Sequence, residues 1–334
     1  GPNRAIVVQG LKVMSGWQKA GLAALAEVSG LSGEATPYHA GFLLGPRINA
    51  GGRVGRAGLG LELMSTDDPA RARQLALELD QLNAERKMIE QDVLDAAMEQ
   101  IESGRVPADG PVIIASGEGW HPGVIGIAAG RIKDRFNRPA IVIGTDNGIG
   151  KGSGRSCTGV NLGDAIAAAR EAGLLMAGGG HAMAAGLTVD SGRINALREF
   201  LEARLAPEWD AAVEARTLRV DGLVHPAAVD FDFGSALKGA APFGMGNPEP
   251  RFAFADLRVK FVKEVGTGHL RFTFEEKGGA QLSGIAFRAI GSVLGEALTS
   301  RGDGLWHVAG KVKAEDNRFG RKAELHLEDM APAS

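Results

Sequence analysis

The chain has 334 residues, 44% of them hydrophobic and 23% charged, with a formal net charge of −3. This length and composition predict a folded globular protein of two or three domains. No apolar run approaches the roughly 20 residues that cross a bilayer, which excludes a membrane-spanning helix and a membrane partner. The single cysteine, Cys157, excludes an internal disulfide framework, and no signal peptide opens the chain, so we expect a cytoplasmic protein.

The small net charge hides two opposite concentrations of charge. Acidic residues crowd one segment: Glu78, Asp80, Glu85, Glu90, Asp92, Asp95, Glu99 and Glu102. Basic residues collect elsewhere: Arg131, Lys133, Arg135, Arg138, Lys151 and Arg155, and again Arg318, Arg321 and Lys322. Because the local field steers a polyanion more than the total charge does, the chain remains compatible with nucleic-acid binding.

The N-terminal third is predicted to be helical with one glycine-rich interruption. Gly1-Pro2 without an initiator methionine indicates a protease scar on a truncated protein. Residues 3–35 predict an amphipathic helix, and the glycines between 41 and 60 predict a loop. A long helix is then predicted from Pro69 to Ser103, about 50 Å at 1.5 Å per residue, with Asp68 as its N-cap. Such a solitary helix favours a connector between domains, and a coiled-coil dimer is the alternative.

The middle of the chain predicts an α/β domain. Residues 112–115 and 140–143 are short β-branched apolar runs typical of buried strands. Between them, Pro122–Phe136 has helical periodicity and ends in basic residues, which suit the C-terminal end of a helix. Further helices are predicted from Asn161 to Arg170 and from Ile194 to Leu205.

The last third predicts a small β-barrel. A hinge-like stretch is expected from Pro207 to Pro250, because its end is dense in glycine and proline. Strands are then predicted at 252–264, 268–276, 281–288, 304–313 and 323–328, with a short helix near 289–298. Five strands with one interposed helix fit an oligonucleotide-binding (OB) barrel, whose strands and loops bind single strands.

Two glycine-rich segments indicate a phosphate site. Lys151-Gly-Ser-Gly-Arg-Ser156 and Gly178–Gly186 place small residues beside a cation or hydroxyl, which would let backbone N–H groups approach an anion. The first segment is not a Walker loop, because Gly152 stands where Ser or Thr must reach magnesium. We therefore expect a looser cradle in which Ser153 and Arg155 bind phosphate, and a surface turn with incidental charge is the alternative.

Several other side chains are candidates for the same cleft. His181 could donate to a phosphate or scissile oxygen, or pack inside a helix–strand junction. His121 could cap a helix or point into the cleft. Arg47 and Arg53, in the predicted loop, favour contact with an anionic substrate. The predicted substrate cleft comprises Arg53, His121, Lys151, Gly179 and Gly180.

In the barrel, most phenylalanines are predicted to form the core, and one basic turn is predicted to contact a single strand. The predicted core phenylalanines are Phe252, Phe254, Phe272, Phe274 and Phe287. The predicted single-strand track comprises Arg271, Arg318, Phe319, Arg321 and Lys322. No His-x-x-x-His pair or converging set of carboxylates is present, so no metal site is expected in this chain.

The motifs together resemble those of the RecJ family of DHH phosphoesterases. The resemblance rests on Gly119-Trp-His-Pro-Gly-Val-Ile-Gly126, Lys151–Ser156, Gly179–Gly186 and Phe243-Gly-Met-Gly-Asn-Pro-Glu-Pro250, in this order, with Pro46–Arg53 and Asn3–Leu11 in support. It implies a 5′→3′ single-stranded-DNA exonuclease of DNA repair and recombination that hydrolyses phosphodiesters with two Mn²⁺ or Mg²⁺ ions. The Asp-His-His motif that holds those ions does not occur here.

The resemblance therefore implies a fragment that holds DNA without cutting it. Residues 1–68 would end the catalytic domain, 69–104 form the connecting helix, 105–208 the DHH-associated α/β domain, and 215–330 the OB domain. Arg47, Ser153 and Arg155 would bind the 5′-terminal phosphate, and His181 would face the scissile phosphate as the catalytic residue of this chain. No metal is expected to bind this fragment.

Two other functions fit the sequence. A non-catalytic module could dock a partner such as single-stranded-DNA-binding protein, and the resemblance also implies a RecQ-type helicase as a candidate partner. A phosphoesterase for short oligonucleotides is the third possibility, although an extended barrel track is unnecessary for a dinucleotide.

Overall fold

A computed structural model describes residues 1–244, 246–300, 304–317 and 320–333. Contacts divide the chain into two compact units, Gly10–Arg216 and Thr217–Ser334 together with Gly1–Gln9. None of the helices in these described ranges combines the length and apolar character that a bilayer crossing requires.

The N-terminal segment consists of short helices rather than the one helix and one loop predicted. Its α-helices are α1 (Pro2–Ser15), α2 (Ala20–Val28), α3 (Gly45–Val54) and α4 (Leu59–Ser65), and a π-helical segment, His39–Leu44, precedes α3. The prediction of one helix over 3–35 is wrong, because the chain turns at Trp17 with a left-handed φ of +48°. The predicted loop over 41–60 is also wrong. Some of its glycines permit close helix packing: a Cβ on Gly60 would lie 2.9 Å from the Ile48 carbonyl oxygen.

The long helix is confirmed as α5 (Pro69–Glu102), and the Asp68 carboxylate accepts a hydrogen bond from the Ala70 amide at 2.9 Å. It is not solitary, because it packs on α2, α3 and α4. Its first half buries Leu75 and Leu79 against these helices. Its second half buries residues against the sheet domain: Val93, Ala97, Met98 and Ile101. Burial along its whole length makes α5 part of two hydrophobic cores. Each fully buried leucine contributes about 1.5–3 kcal/mol to the free energy of unfolding.

The α/β domain is a three-layer structure around one mixed sheet. Its strands are β1 (Ile113–Glu118), β2 (Ala140–Asp146), β3 (Ile149–Arg155), β4 (Ala177–His181) and β5 (Ala184–Asp190), in the order β1-β2-β3-β5-β4. Helix α6 (Pro122–Phe136) connects the parallel strands β1 and β2 and lies on the α5 side. The opposite face is covered by α7 (Leu162–Glu171) and α8 (Ile194–Glu214). The predicted strands, α6 and the Asn161-capped α7 are confirmed.

Two predictions about irregular chain are wrong here. The glycine-rich segments 151–156 and 178–186 form strands β3, β4 and β5 rather than loops. The predicted hinge after Pro207 is absent over its first part, since α8 continues through Pro207 to Glu214. The chain then forms a two-residue strand, β6 (Gly222–Leu223), and a short helix, α9 (Phe231–Leu237).

The C-terminal unit confirms the predicted OB architecture. Its main elements are β7 (Phe252–Val265), β8 (His269–Glu276), β9 (Gln281–Ala286), α10 (Val293–Thr299), β10 (Trp306–Asn317) and β11 (Gly320–Pro332). Pairing runs β7-β8-β9-β11-β10 and returns from β10 to β7, which closes a ring. The interposed helix α10 and the parallel β9–β11 pair are those of an OB barrel. Its core is rich in phenylalanine, and Phe254, Phe272 and Phe274 are fully buried as predicted.

Candidate functional site

The alternation of small and polar residues in β3 separates the two faces of the sheet. Gly150, Gly152 and Gly154 face the core, where a Cβ on Gly154 would lie 2.5 Å from a Leu162 methyl carbon. Side chains between the glycines, including Ser153 and Arg155, face the opposite side. The glycines therefore permit close packing of the sheet. They do not form an N–H cradle, because β3 is paired on both sides with β2 and β5. An anion on this face would therefore be bound by side chains.

Neighbouring strands extend this face into an open floor of small residues. Register places Arg155, Ala184 and His181 in one row across β3, β5 and β4, and Ser153, Gly186 and Gly179 in the next. A Cβ on Gly179 would meet no atom within 4 Å. His181 is exposed at the end of β4 rather than packed inside.

A shallow groove of about 330 Å³ lies on this face beside Ser153, and its lining includes neither Arg155 nor His181. Lys151, Ser153 and Gly186 line it together with Pro122 and Ile125 of α6. With strands roughly 4.8 Å apart, the α-carbons of Arg155 and His181 stand about 10 Å from each other. On this face, the guanidinium of Arg155 and the hydroxyl of Ser153 lie on one side of a flat surface of small residues. The imidazole of His181 lies on the other side.

Helix α6 packs directly over the Ser153–Arg155 pair. Arg155 Nη1 donates to Ser153 Oγ at 3.1 Å and to the Gly154 carbonyl oxygen at 2.8 Å. A Cβ on Gly126 of α6 would lie 2.8 Å from Ser153 Oγ and 2.9 Å from Arg155 Nη2. Gly126 therefore leaves the space that the guanidinium and hydroxyl occupy.

The start of α6 is fixed to the end of α3. His121 Nδ1 accepts a hydrogen bond from the Gly123 amide at 3.0 Å, so His121 is an N-cap, one of the two predicted alternatives. Arg53 Nη1 donates to the Gly123 carbonyl oxygen at 3.0 Å. A side chain at Gly123 would collide with the Arg53 carbonyl oxygen, 2.1 Å away. Arg53 and His121 are thus held beside the helix that covers Arg155.

Positive charge is in excess around Arg155. We define the arginine cluster as Arg53, Arg86, Arg131 and Arg155 with the carboxylate of Glu90. Glu90 is buried (2% exposed) and lies 2.5 Å from both Arg86 Nη1 and Arg131 Nη2. Burial lowers the pKa of Arg155 from its ordinary value, and the positive charge of Arg53 lowers it further. One carboxylate among four guanidinium groups leaves a field that favours an incoming anion.

Arg47 does not join this arrangement through its hydrogen bonds. Its Nε donates to Asp80 Oδ1 at 2.7 Å and its Nη1 to the Leu43 carbonyl oxygen at 2.8 Å, and the side chain is 14% exposed. These contacts tie α3 to α5. The predicted role of Arg47 in binding a terminal phosphate stays a prediction.

Sequence comparison assigns both regions to known domain families. Residues 109–206 match the DHHA1 domain and residues 220–329 match the RecJ OB domain. The chain is 36% identical to the single-stranded-DNA-specific exonuclease RecJ of Dickeya dadantii over 342 residues, 99% of the chain and 58% of the relative. It is 34% identical to RecJ of Bacillus subtilis, covering 98% of the chain and 41% of that protein. The chain belongs to the RecJ family.

Solved structures agree with this assignment. The structure of RecJ from Thermus thermophilus in complex with Mg²⁺ superposes with a TM-score of 0.79 at 29% identity, covering the whole chain and 50% of RecJ. The Mn²⁺ complex of the same RecJ gives 0.79 at 28% identity. The chain spans about half the length of the RecJ proteins it matches.

The two matched RecJ structures are complexes with Mg²⁺ and with Mn²⁺. Within the described ranges of this chain, no three His, Cys, Asp or Glu side chains come together as a metal site would require. His121 is not available as a ligand through Nδ1, because that atom caps α6. The described residues therefore do not fit the ions, and no chemical step of this chain is assigned to a metal.

In the RecJ OB domain, the predicted track residues are engaged in ion pairs. Arg271 Nη1 and Lys322 Nζ lie 3.2 and 3.1 Å from the same carboxylate oxygen of buried Glu324. Arg321 Nε lies 3.2 Å from Asp316, and its guanidinium stacks 4.6 Å from the Phe231 ring centroid. Arg318 and Phe319 lie outside the described residues. The single-strand track stays a prediction. Its described cations, Arg271, Arg321 and Lys322, are paired with carboxylates.

Sequence reasoning missed two features of this chain and misplaced Phe287. It did not identify Gly126 as the space for Arg155 or the buried group Asn83, Arg86 and Glu90. A signal for that group exists, because these polar residues continue the helical spacing of the buried stripe of α5. The prediction that Phe287 belongs to the barrel core is wrong, since its side chain is 53% exposed. Phe252 is only half-buried.

Proposed function

We propose that this chain is the substrate-holding part of a 5′→3′ single-stranded-DNA exonuclease. The single observation that carries this is the row Arg155–Ala184–His181 beside the row Ser153–Gly186–Gly179. A cation and a hydroxyl at one edge of a flat floor suit a terminal phosphate, which presents several acceptor oxygens. An exposed imidazole at the other edge suits a second phosphate.

Ser153 and Arg155 would bind the 5′-terminal phosphate. Arg155 already orients its guanidinium with the hydroxyl of Ser153, so a phosphate would meet a preorganised pair. The arginine cluster contributes positive charge at the same edge. The fixed separation of about 10 Å from Arg155 to His181, two strand spacings, would set the distance from the 5′ end to the bond that is cut. End-directed cutting follows from such a spacing.

His181 would hold the scissile phosphate in place. Its position on the exposed end of β4 leaves the imidazole free to donate to a phosphoryl oxygen. In the intact enzyme, Mg²⁺ or Mn²⁺ would supply the charge neutralisation and activated water of phosphodiester hydrolysis. Among the described residues no three His, Cys, Asp or Glu side chains come together, and the chain has no Asp-His-His motif. We infer that this chain alone binds DNA without hydrolysing it.

The RecJ OB domain would hold the downstream strand. Support comes from the barrel topology, which elsewhere binds oligonucleotides through the faces of its second and third strands, here β8 and β9. The relatives are named for single-stranded DNA, which is the strand we assign to this barrel.

Fluorescence anisotropy on a labelled single strand, with and without a 5′-phosphate, tests this function. We expect salt-sensitive binding, because counterions are released from the strand, and tighter binding of the phosphorylated oligomer. Arg155→Ala should reduce this preference about tenfold or more, because a hydrogen bond to a charged group contributes about 1.5–3 kcal/mol. Arg105→Ala is the control, since Arg105 is exposed and pairs with Glu99 at the surface.

Three outcomes would contradict the proposal. Equal weakening of phosphorylated and unphosphorylated strands by Arg155→Ala would remove the phosphate role of Arg155. A manganese-dependent nuclease activity, detected on a gel, that co-purifies with the chain would show that the chain hydrolyses DNA without a further domain. Binding of single-stranded-DNA-binding protein without any affinity for DNA would favour a docking module.

A further inference from the structure

An aromatic side chain on the barrel is displayed to solvent. Phe287 directly follows β9, where alternate residues Leu282 and Ala286 face the core and Ser283 faces out. Phe287 falls on the outward positions of this alternation, and it is 53% exposed between the buried residues Ala286 and Ala289. Exposure of one apolar side chain is ordinary in itself. Phe287 differs because neighbouring groups hold its ring in place.

Two imidazoles and a strained backbone hold the Phe287 ring outward. The ring centroid lies 5.3 Å from that of His269 and 5.0 Å from that of His326, with interplanar angles of 75° and 78°. Arg288 has a left-handed φ of +52°, an uncommon conformation for a long side chain. The Arg288 amide donates to His269 Nδ1 at 2.8 Å, which secures that conformation. A ring held by two T-shaped contacts has little conformational entropy left to lose when a flat ligand stacks on it.

The charges around Phe287 favour an anionic ligand. Register places Arg271 of β8 opposite both Lys263 of β7 and Ile285 of β9, on the outer face beside this ring. Arg288 is exposed next to it. The carboxylates that act on His326 are Glu324, Glu249 and Glu315. Each is already paired with a cation, Glu324 with Arg271 and Lys322, Glu249 with Lys313 and Glu315 with Lys322. A flat aromatic unit linked to phosphates, as in a nucleic-acid strand, matches this combination better than an apolar protein surface does.

We propose that Phe287, held between His269 and His326, is a stacking platform that takes one unpaired nucleobase of a single strand on the barrel. This site rests on the proposed function and assigns it a base-binding residue. Stacking on one ring accepts any of the four bases, so the platform would add affinity without sequence preference. Arg271 and Lys263 would contact the neighbouring phosphates.

Binding of two oligomers of equal length and charge separates stacking from phosphate contact. One is oligo-dT, and the other carries the same backbone with abasic sugars throughout. Phe287→Leu should weaken binding of oligo-dT about tenfold and leave binding of the abasic oligomer unchanged. Phe287→Trp should retain the affinity for oligo-dT, and its added indole fluorescence should be quenched when the base stacks.

Phe42→Leu in the other compact unit is the matched control, because Phe42 is also an exposed phenyl ring, 70% exposed, that contacts Tyr38. It should leave both affinities unchanged. Thermal unfolding of each variant confirms that the barrel is folded. If Phe287→Leu binds oligo-dT as the parent chain does, the platform is overturned while DNA binding stands, and Phe287 is left as a contact for a protein. If the parent chain binds neither oligomer, the proposed function itself fails.

Discussion

Arg155 and His181 are both paired with Ala184, one from each side, so they share one face of the sheet two strands apart. Their separation is set by the hydrogen-bonded register of β3, β5 and β4, and a loop movement does not alter it. A one-residue slip in either pairing would turn one of the two side chains to the opposite face. The spacing of the candidate site is therefore as rigid as the sheet.

Gly126→Ala is expected to weaken recognition of a 5′-phosphate without destabilising the protein. Alanine favours a helix over glycine by up to about 1 kcal/mol, which would stabilise α6. Its Cβ would, however, meet Ser153 Oγ at 2.8 Å and Arg155 Nη2 at 2.9 Å, and these flexible side chains would move away. The ratio of affinities for phosphorylated and unphosphorylated strands should fall several-fold, while the melting temperature stays constant or rises.

Gly130→Ala on the same helix is the matched control for this prediction. A Cβ on Gly130 would meet no atom within 4 Å, so the substitution should raise helix stability and leave the affinity ratio unchanged. A loss of phosphate preference in both variants would mean that helix α6 as a whole, rather than the space at Gly126, determines it.

Two adjacent glycines of β4 are expected to respond to valine in opposite ways. Gly179 faces the open floor, where a Cβ would meet no atom within 4 Å, so Gly179→Val should fold normally but obstruct the floor and weaken DNA binding. A Cβ on Gly180 would lie 2.3 Å from the Ala184 carbonyl oxygen, so Gly180→Val should lower the melting temperature. Thermal unfolding and anisotropy on the same samples measure both effects. Unimpaired DNA binding by Gly179→Val would show that the floor carries no strand.

Some elements of this fold are encoded locally, and others depend on contacts between distant segments of the chain. Helix α5, β1, β2 and the barrel strands follow from local periodicity, which one stretch of sequence contains. The close packing at several glycines of 41–60 and 151–156 does not follow from local sequence, because it depends on another element, such as Leu162 against Gly154. Composition alone cannot distinguish a flexible loop from a strand that needs room for its neighbour.

The residue types of the candidate site are predictable from the sequence, but the contacts that bring these residues together are not. The sequence indicates Ser153, Arg155 and His181 as candidates, and the sheet brings them to one face. The backbone N–H cradle expected from the glycines does not form, because strand pairing occupies those groups. The packing of α6 over Arg155 and the arginine cluster are not predictable from local sequence, because both join residues far apart in the chain.

Glu90→Gln is expected to destabilise the protein by about 3 kcal/mol, because it would leave the buried guanidinium of Arg86 without its carboxylate. Burial already lowers the pKa of Arg86 from its ordinary value, against the opposing effect of Glu90. Chemical denaturation measures the change. On the same helix, Glu99→Gln should have little effect, because the Glu99–Arg105 pair is exposed. A similar stability for both variants would show that water or relaxation compensates Arg86.

The stability of the barrel is expected to fall as the pH drops below about 7, through the titration of His326. Burial lowers the pKa of His326 from 6.5, opposed by Glu324, Glu249 and Glu315 and reinforced by Lys313. The unfolded chain therefore binds this proton at a higher pH than the folded chain does. The contribution is fully present above pH 6.5 and is lost as the pH falls from there towards the folded-state value.

Urea denaturation at pH 7.5 and 5.5 measures this contribution by comparing the parent chain with His326→Gln. The parent should lose more unfolding free energy over this interval than the variant, because glutamine has no proton to take up. The depressed pKa values of Glu324 and Glu328 act in the same direction but lie below 4.5, under the interval. His269→Gln, on the other side of Phe287, is the control for losing an imidazole contact. An equal pH dependence in the parent and in His326→Gln would assign the effect to another group.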